Sequence, residues 1–148
     1  MEYMLVVMKE SMRMNNAAAT IGRTLVAPYV VDGVTLPAGT NVGIGIYQLH
    51  HNPTVWGDDH MEFKPSRFLP ENLAKMDNFA FIPFSAGARN CIGQQFGINE
   101  IKVFLARILR RFRLSLVEGE PEPVPKLTLV LKPERELLLN IEPIKLKS

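Results

Sequence analysis

The residues best suited to chemistry in this sequence gather around its single cysteine, Cys91. Gly87 and Gly93 stand on either side of it, and Arg89 precedes it by two positions. Glycines let the backbone approach a bulky ligand closely, and a guanidinium group matches a carboxylate. A helix is predicted to begin beside the cysteine, and helix N-termini stabilise anions such as a thiolate. The pattern therefore indicates a thiolate next to a site for a carboxylate.

Simpler interpretations of the same residues exist. A lone cysteine is more often a small buried hydrophobic residue than a ligand. A nucleophilic cysteine needs a histidine nearby, and the histidines at 50, 51 and 60 lie well before it in the chain. We expect these histidines to be surface or capping residues rather than ligands, and Trp56 to be a packing residue. One cysteine excludes an internal disulfide and a multi-cysteine zinc site.

Three motifs in order along the chain indicate a family. Residues 84–93, F-S-A-G-A-R-N-C-I-G, match every fixed position of the haem-binding signature of cytochromes P450, F-x-x-G-x-R-x-C-x-G. Residues 10–13, E-S-M-R, resemble the E-x-x-R motif of that family, and residues 65–68, P-S-R-F, resemble its P-x-R-F element. The resemblance runs from near residue 1 to about residue 142. Residues 49–53 are similar to the family 4 branch, which hydroxylates fatty acids and other lipids.

The resemblance implies a role for each residue around the cysteine. Cys91 is expected to be the proximal thiolate ligand of haem iron, and such a thiolate favours cleavage of the O–O bond. Arg89 and Arg23 are expected to pair with the haem propionates, and Phe84 to pack against the proximal haem face. The cofactor-binding residues expected on this basis are Phe84, Gly87, Arg89, Cys91, Gly93 and Arg23.

The resemblance also implies a structural ion-pair cluster of Glu10, Arg13 and Arg67. Glu10 and Arg13 can meet because residues three apart share one face of a helix. The alternative is a solvated surface pair, which stabilises a fold very little. The order of the motifs favours a buried triad that locks the segment from residue 52 to 90.

Two further segments match positions that line the substrate pocket in the family. The first holds Ala18, Ala19, Thr20 and Ile21, and the second is a hairpin tip with Leu129, Val130 and Leu131. Ordinary core or turn packing is the alternative for both segments. The basic residues near the end of the long helix are usually a solvated face, and the family offers reductase docking as the alternative.

The elements that must position these residues follow from periodicity and turn signals. Apolar residues at helical spacing, among them Ile101, Phe104 and Ile108, predict a long amphipathic helix. Asp32-Gly33 supplies the positive φ angles of a tight hairpin turn. The predicted elements are a helix over 2–13, a hairpin over 29–36, a strand over 41–46, an irregular segment over 52–90, a helix over 92–113, and a closing hairpin of 126–131 and 135–142 around 132–134.

Length and composition suit one globular unit. The chain has 148 residues, 47% hydrophobic and 22% charged, with a net charge of +2, so disorder and polyanion or nucleic-acid binding are not indicated. No run approaches the roughly 20 apolar residues of a membrane span, and no signal peptide is evident. We expect an α+β fold, mainly α, forming the C-terminal portion of the cytochrome P450 fold, as one partial domain over residues 1–148 without a second domain.

The function implied by the resemblance belongs to a longer parent protein. That protein is expected to be a haem-thiolate monooxygenase that hydroxylates a lipid-like or other apolar substrate with O₂. It would contain haem b and receive electrons from NADPH through a flavoprotein reductase on the proximal face. The resemblance implies a location on the cytosolic face of the endoplasmic reticulum membrane, anchored by residues outside this chain. The alternatives are a truncated, non-catalytic haem- or partner-binding module and an inactive fragment.

Overall fold

The computed structural model describes residues 2–145. Its α-helices are α1 (Glu2–Met14), α2 (Ile46–His50), α3 (Pro53–Trp56), α4 (Pro70–Leu73) and α5 (Gln94–Leu109), with 3-10 turns at Pro65–Phe68 and Gly87–Arg89. Its strands are β1 (Thr20–Thr24), β2 (Tyr29–Val31), β3 (Val34–Leu36), β4 (Asn41–Gly45), β5 (Phe112–Leu116), β6 (Pro125–Leu127), β7 (Leu131–Pro133) and β8 (Leu139–Pro143). The strands pair antiparallel in four two-stranded sheets, β1 with β4, β2 with β3, β5 with β8 and β6 with β7.

Helix α1 carries the first motif and agrees with the predicted helix, extended by one residue to Met14. Its first turn holds Glu2 and its last turn holds Arg13, which both complement the helix dipole. The buried Asn16 follows the helix, and its side chain donates to the Ala18 carbonyl oxygen over 2.8 Å. This turn directs the chain into β1.

The predicted hairpin and the strand after it follow β1 in the chain. The hairpin forms as β2 and β3, and Asp32 and Gly33 take φ angles of 48° and 79° in its turn. Strand β4 ends one residue before the prediction because Ile46 begins α2, where its side chain is completely buried. The Tyr47 amide then donates to the Ala19 carbonyl oxygen, which ties α2 to the start of β1.

The C-terminal part of the prediction needs two corrections. Helix α5 spans residues 94–109 rather than 92–113, because Phe112, Leu114 and Leu116 alternate with polar residues and form strand β5. The predicted closing hairpin around 132–134 is wrong. Strand β6 pairs with β7 around a tip at residues 128–130, where the Thr128 amide and hydroxyl both donate to the Val130 carbonyl oxygen. Strand β8 pairs with β5 instead.

The hydrophobic core lies between α1 and the segment from 53 to 81. It is built on Trp56, Phe68 and Ala80, with Phe81 and Val6 among the partly buried side chains around it. The ring centroids of Phe68 and Phe81 are 4.6 Å apart, within the range of aromatic contact. The segment 52–90 has no sustained helix, as predicted, and its short helical turns lie against α1 through this core.

Candidate functional site

Cys91 lies at the end of a closed loop that directly precedes α5. Its amide donates to the Phe84 carbonyl oxygen over 2.9 Å, and its own carbonyl oxygen accepts from the Gln94 amide over 3.2 Å. A second bond, from the Asn90 amide to the Gly87 carbonyl oxygen, closes the loop internally. The cysteine is exposed, so the buried-hydrophobe interpretation is wrong. We call residues 84–93 the cysteine loop.

Two residues of the cysteine loop take positive φ angles. Gly87 has a φ of 75°, a conformation that glycine adopts without steric cost. Ser85 has a φ of 66°, and no glycine in the sequence signals that turn. Gly93 has an ordinary φ of −85°, but a Cβ atom there would lie 3.8 Å from the Cys91 sulfur. The absence of a side chain at Gly93 thus keeps space beside the thiol.

Cationic and apolar side chains lie on and beside the cysteine loop. Arg23 on β1 reaches the loop, with its Nη2 atom 3.5 Å from the Ser85 hydroxyl oxygen. Arg89 is exposed within the loop itself, and so are the neighbouring apolar residues Ile92 and Phe96. The fold therefore brings the predicted Arg23 to the cysteine loop across 62 residues of sequence.

The motif residues of α1 form a buried ion pair. Arg13 Nε lies 2.7 Å from Glu10 Oε2, and both side chains are completely shielded from solvent. Arg67 joins them, its Nε atom 3.5 Å from Glu10 Oε1. The structure thus brings all three predicted residues together, and the alternative of a solvated surface pair is wrong.

Arg13 also binds the backbone at the end of α2 and in the irregular segment. Its guanidinium donates to the carbonyl oxygens of His50, His60 and Glu62 over 2.8, 2.7 and 3.0 Å. His50 ends α2 and the other two residues lie in the irregular segment, so none of the three carbonyl groups has a partner within a helix or sheet. An unpaired buried carbonyl group is costly. One arginine therefore holds the end of α2 and two points of a segment that lacks regular hydrogen bonding.

Sequence reasoning missed two members of this cluster, Asp59 and Lys64. Asp59 lies 2.7 Å from Arg67 Nη2 and 2.7 Å from Lys64 Nζ. Hydrogen bonds from Lys64 and then Arg67 lower the pKa of Asp59 to about 2. The Lys64 amide also donates to Glu10 Oε1. No spacing rule indicates either residue; we call Glu10, Arg13, Asp59, Lys64 and Arg67 the charge cluster.

The expectation for the histidines is wrong at His50. Its side chain is completely buried because it ends α2 against the core, and its Nε2 atom accepts from the Ile82 amide over 3.0 Å. Burial, followed by the nearby His51 and Arg13, lowers the pKa of His50 to about 4. His51 is the C-cap residue of α2, in line with a capping role, and its Nδ1 atom lies 2.8 Å from the Tyr47 carbonyl oxygen.

The two segments predicted to line a substrate pocket are neighbours in the fold. The Leu131 amide donates to the Ala17 carbonyl oxygen over 2.8 Å, so hairpin β6–β7 lies against the chain before β1. Ala18 and Ala19 are partly buried there. At the tip, Leu129 is 97% exposed. A substrate-lining role for these residues remains a prediction.

Comparison with known proteins assigns the family. The family model described as Cytochrome P450 matches residues 1–141. The chain belongs to the cytochrome P450 family. It is 45% identical to cytochrome P450 4B1 of Rattus norvegicus over 100% of this chain and 29% of that protein. It is 43% identical to leukotriene-B4 omega-hydroxylase 3 of Mus musculus over 96% of this chain and 27% of that protein. These relatives place this P450 chain in family 4, as predicted.

A solved structure gives the same result for the fold. Retinoic acid bound cyanobacterial CYP120A1 matches with a TM-score of 0.88 and 28% identity, over 97% of this chain and 33% of that one. The expected partial cytochrome P450 fold is therefore confirmed. The chain spans between a quarter and a third of the length of the curated relatives named above.

The residues present fit the haem that the P450 family implies. Haem requires an accessible thiolate for its iron, apolar surface for its ring and cations for its propionates. The cysteine loop offers the exposed Cys91, the exposed Ile92 and Arg89, and β1 adds Arg23 beside the loop. None of the helices within residues 2–145 has the length and apolar character needed to cross a bilayer.

Proposed function

We propose that this chain is the haem-binding C-terminal portion of a family 4 monooxygenase. In the longer parent protein it takes part in hydroxylating a lipid-like or other apolar substrate with O₂. One observation carries the proposal above the others: the single cysteine is exposed at the start of α5, in a loop whose fixed positions match the haem signature. We treat the whole chain as part of one catalytic domain.

Each residue of the site has a defined task. Haem held by a cysteine thiolate supplies oxygen activation, because the thiolate donates electron density to the iron. Cys91 provides that sulfur, and its amide bond to Phe84 fixes the loop that presents it. Arg23 and Arg89 bind the propionates as charge-assisted partners. Gly87 and Gly93 keep the backbone close and the space beside the sulfur free.

The charge cluster supports the cysteine loop indirectly, through the segment that precedes it. It contains no group proposed to touch the substrate or cofactor. Instead, Arg13 and Arg67 hold the irregular segment through backbone carbonyl oxygens, including that of Trp56 at 2.9 Å from Arg67 Nη1. That segment leads directly into the cysteine loop. The task of Glu10, Arg13 and Arg67 is therefore to position the loop.

The substrate class is supported by the relatives. One is named for omega-hydroxylation of leukotriene B4, and the matched structure holds retinoic acid. Both molecules have long apolar parts, which favours an apolar substrate for the parent protein. Ala18, Ala19, Thr20 and Ile21, with Leu129 and Val130 of the β6–β7 tip, are the residues proposed to contact it.

The remaining parts of the proposal concern the parent protein. Electrons come from NADPH through a flavoprotein reductase that binds the proximal surface. We place the parent on the cytosolic face of the endoplasmic reticulum membrane, as is typical of the family 4 branch. The exposed Arg107, Arg110 and Arg111 at the end of α5 are candidate reductase contacts.

The deciding experiment is a reduced, carbon-monoxide difference spectrum of the purified chain mixed with haem. The wild-type chain should give a thiolate-type Soret band, and Cys91→Ala should lose it completely. Arg23→Ala and Arg89→Ala should retain less haem on a desalting column, whereas Arg113→Ala, an exposed arginine on β5, serves as the matched control. A thiolate-type band that persists in Cys91→Ala contradicts the proposal. The same band in a native protein of this small mass, rather than in a longer parent, favours the non-catalytic haem-binding module.

A further inference from the structure

His50 is the side chain that joins α2 to the segment leading into the cysteine loop. Its Nε2 atom accepts a hydrogen bond from the Ile82 amide, with 3.0 Å between the two nitrogen atoms and 32 residues of sequence between the partners. The ring packs against Phe81, with centroids 5.3 Å apart, and meets Trp56 edge-on at 6.5 Å. The ring is therefore fixed by packing on its faces and by one hydrogen bond at its edge.

Two successive backbone hydrogen bonds link Ile82 to the cysteine. The Ile82 carbonyl oxygen accepts a hydrogen bond from the Ser85 amide nitrogen over 3.0 Å, which closes a turn across Pro83 and Phe84. The Phe84 carbonyl oxygen then accepts a hydrogen bond from the Cys91 amide nitrogen over 2.9 Å. Pro83 has no amide proton to donate. The His50–Ile82 bond is thus the side-chain anchor at the start of the series that ends at Cys91.

The backbone of His50 is held by a hydrogen bond of its own. Its carbonyl oxygen accepts from Arg13 over 2.8 Å, so the charge cluster fixes the residue from the other side. One path of contacts therefore connects the buried ion pair to the cysteine loop. It runs from Arg13 to His50, then to Ile82, and along the backbone to Cys91.

Packing alone does not account for a histidine at this position. Because Nε2 accepts a hydrogen bond, the neutral ring carries its own hydrogen on Nδ1. Within residues 2–145 that buried Nδ1 atom has no hydrogen-bond partner. An unpaired buried N–H group is unfavourable, and a phenyl ring of similar size would avoid it. The feature that distinguishes histidine here is the acceptor atom facing Ile82.

We propose that His50 is a positioning residue that sets the register of the cysteine loop by accepting a hydrogen bond from the Ile82 amide, and so holds Cys91 in place as a haem ligand. The second part of this inference rests on the proposed haem-thiolate function. The first part concerns the backbone alone and can be tested without haem. The proposed effect of His50 on Cys91 passes through Ile82 and the backbone of the loop.

Two substitutions separate the hydrogen bond from the packing. His50→Gln keeps an acceptor oxygen at about the distance of Nε2 but removes the ring. His50→Phe keeps the ring against Phe81 but removes the acceptor. If His50 acts through its hydrogen bond, the glutamine variant resembles the wild type and the phenylalanine variant does not. If it acts only by filling space, the order of the two variants is reversed.

The first readout is amide hydrogen exchange of the full chain without haem. We expect the Ile82 and Cys91 amides of His50→Phe to exchange at least tenfold faster than those of the wild type. Amides of the distant β5–β8 pair should be unchanged, which excludes global unfolding as the cause. His50→Gln should restore protection at both positions. Unchanged exchange at Cys91 in the phenylalanine variant, or faster exchange in the glutamine variant alone, overturns the inference.

The second readout is the carbon-monoxide difference spectrum of each variant with haem. We expect His50→Phe to shift at least half of the Soret intensity from the thiolate-type band to the non-thiolate form, and His50→Gln to retain the wild-type ratio. An equal ratio in wild type and His50→Phe overturns the link to the ligand. Absence of the thiolate-type band in the wild type instead contradicts the proposed function, while the exchange result still decides the role of His50 in the loop.

Discussion

The regions on either side of the cysteine loop differ in whether they bury side chains. Residues 2–81, which we call the anchored region, contain every buried residue of the described chain. Residues 94–145, which we call the open region, contain α5 and strands β5–β8 but no buried residue. The anchored region surrounds a buried ion pair with an aromatic core. The open region presents apolar side chains such as Phe96 and Leu116 to solvent.

The difference shows how an irregular segment acquires a defined conformation. Where regular hydrogen bonding is missing, Arg13 and Arg67 supply donors to the backbone carbonyl groups, and the aromatic side chains supply apolar contact. In the open region the backbone hydrogen bonds are regular, yet the helix and the two strand pairs contain no buried residue. Secondary structure and burial are therefore separate contributions: both regions contain helices and paired strands, but only the anchored region also buries side chains.

The largest expected effect comes from breaking the charge cluster. Removing one partner of a buried ion pair leaves an uncompensated charge and typically costs about 3–5 kcal/mol. Arg67→Ala should lose that much unfolding free energy, since Arg67 also binds two backbone carbonyl oxygens. Urea unfolding followed by fluorescence of Trp56, the only tryptophan, measures it. Arg110→Ala in the open region is the control and should change stability by less than about 0.5 kcal/mol. Equal effects would remove the distinction between the regions.

A matched pair of phenylalanines tests the comparison through apolar contact alone. Phe68 is 1% exposed in the anchored region, whereas Phe104 on α5 is 61% exposed in the open region. Phe68→Ala should cost about 3–4 kcal/mol, because truncating a buried phenylalanine leaves a cavity. Phe104→Ala should cost less than about 1 kcal/mol in this chain. The same urea titration measures both, and a large loss in Phe104→Ala would show that α5 is buried in solution.

Sequence reasoning succeeded where a local rule or a complete motif governs the structure. Asp32 and Gly33 predicted their turn because few residue pairs adopt two successive positive φ angles. The E-x-x-R and P-x-R-F motifs predicted that Glu10, Arg13 and Arg67 would meet, and the structure brings them together. The signature around Cys91 predicted the loop at the start of α5. In each case the information lies within a few consecutive residues.

The predictions failed where tertiary contacts decide between equally good local choices. Phe112 continues the helical period of α5, but pairing with β8 draws it into a strand. Residues 126–142 contain two possible turns, and the contact of Leu131 with Ala17 accompanies the one at 128–130. His50 and Asp59 carry no spacing signal, because their partners Ile82 and Arg67 lie 32 and 8 residues away. Such partners become visible only when the chain is folded.

The smallest of the three effects is a dependence on pH confined to the anchored region, which holds all three histidines of the chain. Burial lowers the pKa of His50 from 6.5 to about 4, so the unfolded chain binds a proton more readily than the folded chain between these values. Stability must therefore fall as the pH drops from 6.5 toward 4, and this contribution is fully lost below 4. At 1.36 kcal/mol per pH unit, the loss from pH 7 to pH 5 is about 2 kcal/mol.

The His50→Gln variant isolates this contribution, because glutamine does not titrate in that range while keeping an acceptor for Ile82. Urea titrations of the wild type and the variant at pH 7 and pH 5 give the unfolding free energy of each. Between these pH values the wild type should lose about 2 kcal/mol more unfolding free energy than the variant. NMR titration of the His50 ring gives the pKa directly. A ring that titrates near 6.5 would mean that His50 is accessible to water, and the anchored region would then lack the buried link between the charge cluster and the cysteine loop.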